Sequence, residues 1–186
     1  QPRSALARMS SNEDIASVSH QLYVSETLED GSTRWIVGFE PETDFVLGPW
    51  MREGERASLP RGSVAVGSAV PGADGQTLSV FGEEHPINAH LLATGSELDN
   101  AVFVSMDTLS DIVADARAAG KDIDATVDPH ADYSAALVRT SDSDTIESVT
   151  NWINLYVRKV TAVRSNEALV DTASGIRSHR GLAIGV

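Results

Sequence analysis

Hydrophobic residues change their spacing near the N-terminus, from a helical to an alternating pattern. Residues 4–9 have the composition of a short helix, and the polar run 10–14 supplies turn and cap residues after it. The segments 20–25 and 33–39 then alternate between apolar and polar positions and flank Asp30-Gly31, a pair that favours a tight turn. The sequence therefore predicts a helix followed by an antiparallel hairpin.

Turn-forming residues dominate the next part of the chain. Proline and glycine recur through residues 40–62, which predicts irregular chain. Short runs rich in β-branched residues follow at close spacing, separated by the turn residues 71–75 and 82–84. This spacing predicts a small, mostly antiparallel β-unit of about four to six strands. Its later strands are predicted at residues 63–66, 76–81, 86–92 and 101–104.

The last third of the chain alternates between helices and strands. Apolar residues recur at helical spacing over residues 106–119, and Gly120 follows as a C-terminal stop. This order predicts an α+β fold, in which residues 1–30 and 131–186 form a split βαβ subdomain and residues 31–130 form an inserted, β-rich subdomain. After an acidic loop, the predicted elements are a strand at 133–139, a helix from 141–144 to about 157, a strand at 159–164 and a helix at 167–178.

Composition narrows the classes of function. The 186 residues carry a formal net charge of -13, so the chain would repel the phosphate backbone of nucleic acid. Aromatic residues make up 5% of the chain, which argues against a deep aromatic-lined ligand pocket. Cysteine is absent, which excludes disulfides, thiol catalysis and cysteine-bound metals.

The two ends of the chain indicate a piece of a longer protein. No stretch of about 20 apolar residues occurs, so no membrane span is predicted. The start, Gln1-Pro2-Arg3, has neither an initiator Met nor an apolar leader region. We expect the closing apolar run, residues 181–186, to lead toward a membrane helix.

Two groups of side chains have the chemistry of metal ligands. Glu40, Glu42 and Asp44 lie in one loop and offer carboxylate oxygens to Ca²⁺, but the spacing of an EF-hand is missing. His85 and His90 lie on one predicted strand, where their spacing points them to opposite faces. We predict that neither group holds a metal.

A catalytic triad can be written from Ser68 or Ser96 with His90 and Asp99. Neither serine sits in the strand-to-helix turn that exposes a nucleophile. A glycine-rich phosphate loop is also missing from the sequence. We therefore predict that the chain is not an enzyme and needs no cofactor, so that any ATP chemistry belongs to a partner.

A more specific pattern begins at Trp35. The run from Trp35 to Phe45, followed by Pro49-Trp50, resembles the ectodomain of a subfamily of MacB/FtsX-like ABC permeases, in which a strand ends in Gly-Phe-Asp-Pro-Glu-Thr-Asp-Phe before Pro-Trp. Glu40 stands where the family has Asp, and the chain lacks the cysteine pair that the family often carries upstream. Residues 62–67, 75–82 and 91–104 resemble further segments of the same family in the same order.

The resemblance implies an architecture, a location and partners. Such ectodomains combine a porter-like split βαβ part with an inserted, β-rich part that is Sabre-like, between the first and second membrane helices. The domain would face the extracytoplasmic side of the cell membrane and couple ATPase-driven motion to substrate or partner handling there. Its implied partners are a cytoplasmic ABC ATPase, a second permease copy in a dimer and an extracytoplasmic protein, but no nucleic acid.

We expect functional specificity in two segments, as interaction or structural positions. One alternative is an ordered loop in which Phe45 and Trp50 fill the core while the acids face water. A second is that the whole chain is a secreted or surface-anchored protein that binds a small ligand or peptide, and a third is a hydrolase. The candidate residues are Gly38, Phe39, Glu40, Pro41, Asp44, Phe45, Pro49, Trp50, Thr94, Gly95 and Asp99.

Overall fold

The computed structural model describes residues 4–51, 59–124, 126–157, 162–164 and 182–185. Within these ranges the helices are α1 (Ser4–Met9), α2 (Met106–Ala118) and α3 (Ile146–Tyr156). The strands are β1 (Ile15–Thr27), β2 (Thr33–Phe39), β3 (Val64–Val66), β4 (Thr77–Val80), β5 (Glu83–His90), β6 (Ala101–Ser105), β7 (Ala135–Thr140), β8 (Ala162–Arg164) and β9 (Leu182–Gly185).

The described strands form one sheet in the order β4-β5-β3-β6-β2-β1-β7-β9-β8. Antiparallel pairing of β1 with β2 confirms the predicted hairpin, and Gly31 in its turn has φ 81°. Pairing in the middle of the sheet is mixed: β3 pairs with β6 and β4 with β5 in antiparallel, whereas β2 pairs with β6 and β3 with β5 in parallel. The parallel pairs were not predicted. The physical reason is the length of the connections: β2 and β6 are joined by a long crossover, which permits parallel pairing where a tight turn cannot.

All three helices lie on one face of the sheet. Alternation along β2 sends Ile36 toward α2 and Val37 to the opposite face. On β1, Val18 packs in the cluster under α1 and α3, and Leu22, four residues on, packs in the cluster under α2. Because residues of like parity share a face, the helices form one layer, as in an α+β fold.

The C-terminal part of the sheet is a split βαβ unit, as predicted. Strand β7 leads through α3 to β8, and β9 is inserted between them, parallel to both. The predicted helix at 167–178 lies outside the described residues. Strand β9 was not predicted, because the apolar run 181–186 was interpreted as leading toward a membrane helix, whereas residues 182–185 form a strand of the sheet. The division into two subdomains stays a prediction, although strands from both parts share one sheet.

The start of β1 and the end of β9 lie at the same end of the sheet. Arg139 of β7 pairs with Ser17 of β1 on one side and with Gly185 of β9 on the other. Neighbouring strands are about 4.8 Å apart, so Ser17 and Gly185 are separated by about 10 Å. We call this the junction end of the sheet. The turn between β1 and β2 lies at the opposite, far end.

Candidate functional site

The first candidate segment begins where β2 passes beneath α2. A Cβ built on Gly38 would lie 2.5 Å from Leu109 Cδ2 and 3.1 Å from Met106 Sδ. Only glycine allows the helix to approach the strand this closely. Phe39 follows with 2% exposure, on the opposite face. Gly38 and Phe39 are therefore packing residues, one on each side of the sheet.

Asp44 organises the chain that follows β2. Its Oδ1 accepts a hydrogen bond from the Val46 amide (3.1 Å), and its Oδ2 accepts from the amides of Leu47 (2.9 Å) and Gly48 (3.0 Å). The hydroxyl of Ser19 on β1 donates to Oδ1 at 3.3 Å. The carboxylate thus accepts hydrogen bonds from four donors at a partly buried position.

Residues 44–51, which we call the strap, cross the face of the sheet opposite the three described helices. The guanidinium of Arg139 on β7 lies 4.4 Å from the ring centre of Phe45, in a cation–π contact. Leu47 is fully buried with Val37 and Phe103 of the sheet. Pro49 is exposed at the start of a short 3₁₀ turn, Gly48–Trp50. The strap therefore covers part of this face and buries apolar residues of the sheet against Leu47.

The far end of the strap is tied to the segment after β5. The carbonyl of Trp50 accepts a hydrogen bond from the Leu92 amide at 2.7 Å, and Met51 forms an isolated β-bridge with Leu91. The Trp50 side chain is half-buried against the cluster that contains Leu91. Trp50 thus packs against the core at one end of the strap, whereas Phe45 is partly buried and contacts the exposed Arg139 at the other end.

Three exposed or partly exposed residues precede the strap. Glu40 is partly buried, while Pro41 and Glu42 are exposed in the turn that ends at Asp44. Thr43 closes this turn by donating its amide to the Glu40 carbonyl at 3.2 Å. The replacement of Asp by Glu at position 40 therefore falls at the edge of a turn and not on the carboxylate that organises the strap.

The second candidate segment, residues 94–99, is organised by Asp99. Its Oδ1 accepts the amide and the hydroxyl of Thr94, both at 2.8 Å, and its Oδ2 accepts the Gly95 amide at 2.9 Å. Desolvation raises the pKa of Asp99, but the hydrogen bonds from Thr94, Gly95 and the Ser68 side chain outweigh it and hold the pKa below its usual value. Ser96 caps the 3₁₀ turn that follows.

The sheet separates the two organising carboxylates and brings other parts of the segments together. Strands β2 and β6 pair in parallel, with Trp35 opposite Ala101 and Phe39 opposite Ser105. Asp44 follows the end of β2, whereas Asp99 precedes the start of β6, so the two lie toward opposite ends of these strands. The strap connects the two candidate segments, because the Trp50 carbonyl accepts a hydrogen bond from the amide of Leu92, two residues before the second segment.

A groove of about 670 Å³ at the far end of the sheet was missed by the sequence analysis. Glu26 and Arg34 form a buried ion pair on its floor, in which Arg34 Nε donates to Glu26 Oε2 at 3.0 Å. Glu26 also accepts the Phe81 amide, and Arg34 also donates to the Ser79 carbonyl. The signal was present, since a hairpin closed at Asp30-Gly31 places Glu26 opposite Arg34.

The histidines and the aspartate considered for metal binding and catalysis each contact a different part of the backbone. His85 Nδ1 contacts the Gly62 carbonyl at 3.0 Å, and His90 Nε2 contacts the Ala73 carbonyl at 3.3 Å. In the part of the chain that the structure describes, no three histidine or acidic side chains are grouped as metal ligands. Asp99 is bound to Thr94 and Gly95 in its own loop, and the Ser68 side chain is a further donor to it.

Replacement of Asp99 by Asn tests the role of its carboxylate. Asp99→Asn lowers the free energy of unfolding at pH 7 by about 1 kcal/mol, because one amide is left without an acceptor at a half-exposed site. Since the folded-state pKa is lowered, the stabilisation by Asp99 is fully present above its unfolded pKa and is lost as the pH falls through the lowered folded-state pKa. Urea unfolding at pH 7 and pH 3 measures both effects.

The control is Asp74→Asn, which changes the same charge at an exposed position before β4. It should cost less at pH 7 than Asp99→Asn. Equal losses for the two variants would mean that Asp99 acts only through net charge and does not organise its loop.

Comparison with known proteins finds similarity to a solved structure. No family model matches the chain, and no curated protein matches it. The extracellular domain of the noncanonic ABC-type transporter YknZ from Gram-positive bacteria is similar over 94% of this chain and 84% of that chain, with 10% sequence identity and a TM-score of 0.48. Among the described residues, no helix has the length and apolarity to cross a membrane.

Proposed function

We propose that the chain is the extracytoplasmic domain of a MacB/FtsX-like ABC permease, in which it relays motion outside the membrane. The observation that carries the proposal is the pairing of Arg139 with both Ser17 and Gly185. It places the start of β1, which follows α1, and the end of β9 about 10 Å apart at one end of the sheet. A domain inserted between two successive membrane helices needs both of its connections on one side.

The ordered signature segments support the same proposal. The residues that resemble the permease family are the ones that build the strap and the loop of Asp99, so they have structural roles of their own. ATP hydrolysis would belong to a separate cytoplasmic subunit that drives a dimer of permeases. The domain would respond by shifting between two arrangements set by the nucleotide state.

Distance measurements in the full-length protein test this proposal. The chain contains no cysteine, so Glu29→Cys in the exposed turn at the far end gives a single labelling site in this domain. We expect the distance between spin labels on the two permease copies to change by several Å between the nucleotide-free and ATP-bound states, in nanodiscs with the partner ATPase. Ser141→Cys, at the junction end, should show a smaller change.

The groove favours a second candidate function, a secreted or surface-anchored protein that binds a small ligand or peptide. It has the volume for such a ligand and carries both charged and apolar residues. The labelling experiment separates the two functions. Label distances that do not depend on nucleotide, or full-length protein that does not associate with a membrane, would contradict the permease and favour the binding protein.

A further inference from the structure

The strap contacts the junction end of the sheet through Phe45, and it contacts β1 through the hydrogen bond of Ser19 to Asp44. Phe45 packs on the guanidinium of Arg139, at 4.4 Å from the ring centre. Arg139 is also the residue of β7 that pairs with Ser17 of β1 and with Gly185 of β9. A displacement of the start of β1 or of the end of β9 therefore acts on the residue that holds Phe45.

The other end of the strap is fixed to a different part of the sheet. Trp50 and Met51 bind Leu92 and Leu91, which follow β5. Leu91 in turn donates its amide to the Val66 carbonyl of β3 at 2.9 Å. Strands β3 and β5 are separated from β7 by β6, β2 and β1, and the strap spans these three strands, with Asp44 bound to Ser19 of β1 and Leu47 packed on Val37 of β2 and Phe103 of β6.

Between its two ends the strap is held as one unit. Asp44 binds three successive amides of the strap and the hydroxyl of Ser19, and the Trp50 amide donates to the Leu47 carbonyl at 2.9 Å. Leu47 is fully buried between these two sets of hydrogen bonds. A segment with this internal bonding moves as a body when one of its ends moves.

We propose that the strap is a mechanical link that couples the junction end of the sheet to the segment after β5. The contact of Arg139 with Phe45 is its input, and the hydrogen bond of Leu92 to Trp50 is its output. The link gives the signature residues Asp44, Phe45 and Trp50 a shared role. Its physiological meaning rests on the proposed function, whereas the coupling itself is a property of this chain.

Amide hydrogen exchange of the chain, read residue by residue by NMR, tests the link. Arg139→Ala changes an exposed side chain on β7 and leaves the strap sequence intact. We expect exchange of the Trp50 and Leu92 amides to become about two- to fivefold faster, the factor that corresponds to loss of an exposed cation–π contact. Phe45→Ala should have a larger effect at the same two amides.

Two controls make the outcome decisive. Arg61→Ala removes another exposed arginine, which binds Asp111 on α2, and Trp152→Ala removes another half-buried aromatic ring, on α3. Neither should change exchange at Leu92 more than elsewhere. An Arg139→Ala effect confined to residues 45–47 would overturn the proposal, and so would a uniform effect on all amides. Since no membrane helix or ATPase takes part, failure of this test would leave the proposed function standing.

Discussion

Arg34→Ala lowers the free energy of unfolding by about 3–5 kcal/mol, because it leaves the buried carboxylate of Glu26 without its cation. The two side chains are 7% and 9% exposed, and the atoms Arg34 Nη2 and Glu26 Oε2 are 2.5 Å apart. The Phe81 amide remains as a donor to Glu26, but one neutral donor does not replace a guanidinium. The loss is a large share of the stability of an ordinary domain, about 5–15 kcal/mol.

Urea unfolding measures this loss, and Arg61→Ala is its matched control. Arg61 makes two hydrogen bonds of 2.7 Å to Asp111, yet its side chain is 66% exposed and that of Asp111 is 45% exposed. Exposed ion pairs contribute little to stability, so the control should cost far less. If the two variants unfold at the same urea concentration, the burial of the Glu26–Arg34 pair is not what stabilises the far end.

Gly67→Ala lowers the free energy of unfolding by about 3 kcal/mol, since the added methyl group meets backbone that cannot move aside. A Cβ at this position would overlap the carbonyl oxygens of Leu98 and Asp99. The same backbone is fixed by the Gly67 amide, which donates to the Ala101 carbonyl at 2.9 Å, and by the Ala69 amide, which donates to the Asp99 carbonyl at 2.8 Å.

Thermal unfolding compares this variant with Gly75→Ala. A Cβ on Gly75 would have its nearest neighbour, the Thr77 carbonyl oxygen, at an ordinary 3.5 Å. Gly75→Ala should therefore leave stability unchanged or raise it slightly through the unfolded chain. A melting temperature for Gly67→Ala equal to that of the wild type would show that residues 94–99 can move away from Gly67, contrary to the packing described.

Elements with a strong local signal were predictable. The hairpin of β1 and β2 follows from alternation around Asp30-Gly31, and α2 follows from its apolar spacing and from Gly120, which has φ 70°. The split βαβ arrangement also follows from the order of the elements. Local patterns are sufficient in these cases because the residues that decide each element are neighbours in sequence.

Long-range pairing was not predictable from the same patterns. The parallel pairing of β2 with β6 depends on a crossover through residues 40–100, and nothing in either strand specifies the direction of its partner. Strand β5 begins at Glu83 and includes Pro86, whereas the sequence analysis began this strand at Pro86. The two-residue turn Phe81-Gly82 starts the strand earlier, and the Phe81 φ of 51° is unusual for a residue other than glycine.

The candidate residues were found by resemblance, but their roles were not. An aspartate two to four residues before a set of amides often binds them, which is the geometry of Asp44 with Val46, Leu47 and Gly48. Asp99 binds amides that precede it in the sequence, those of Thr94 and Gly95. Sequence alone leaves open whether such an acid binds amides, a cation or water, and burial decides among them.

We propose that this chain is inserted between membrane helices of a permease. The coding sequence on both sides of residues 1–186 tests this insertion. If the chain is part of a permease, the coding sequence encodes one apolar span of about 20 residues before Gln1 and three such spans after Val186. A cleavable signal peptide before Gln1 and a stop codon after Val186 would contradict it. The groove beneath the far-end hairpin would then be the site to study, as the binding site of a secreted protein.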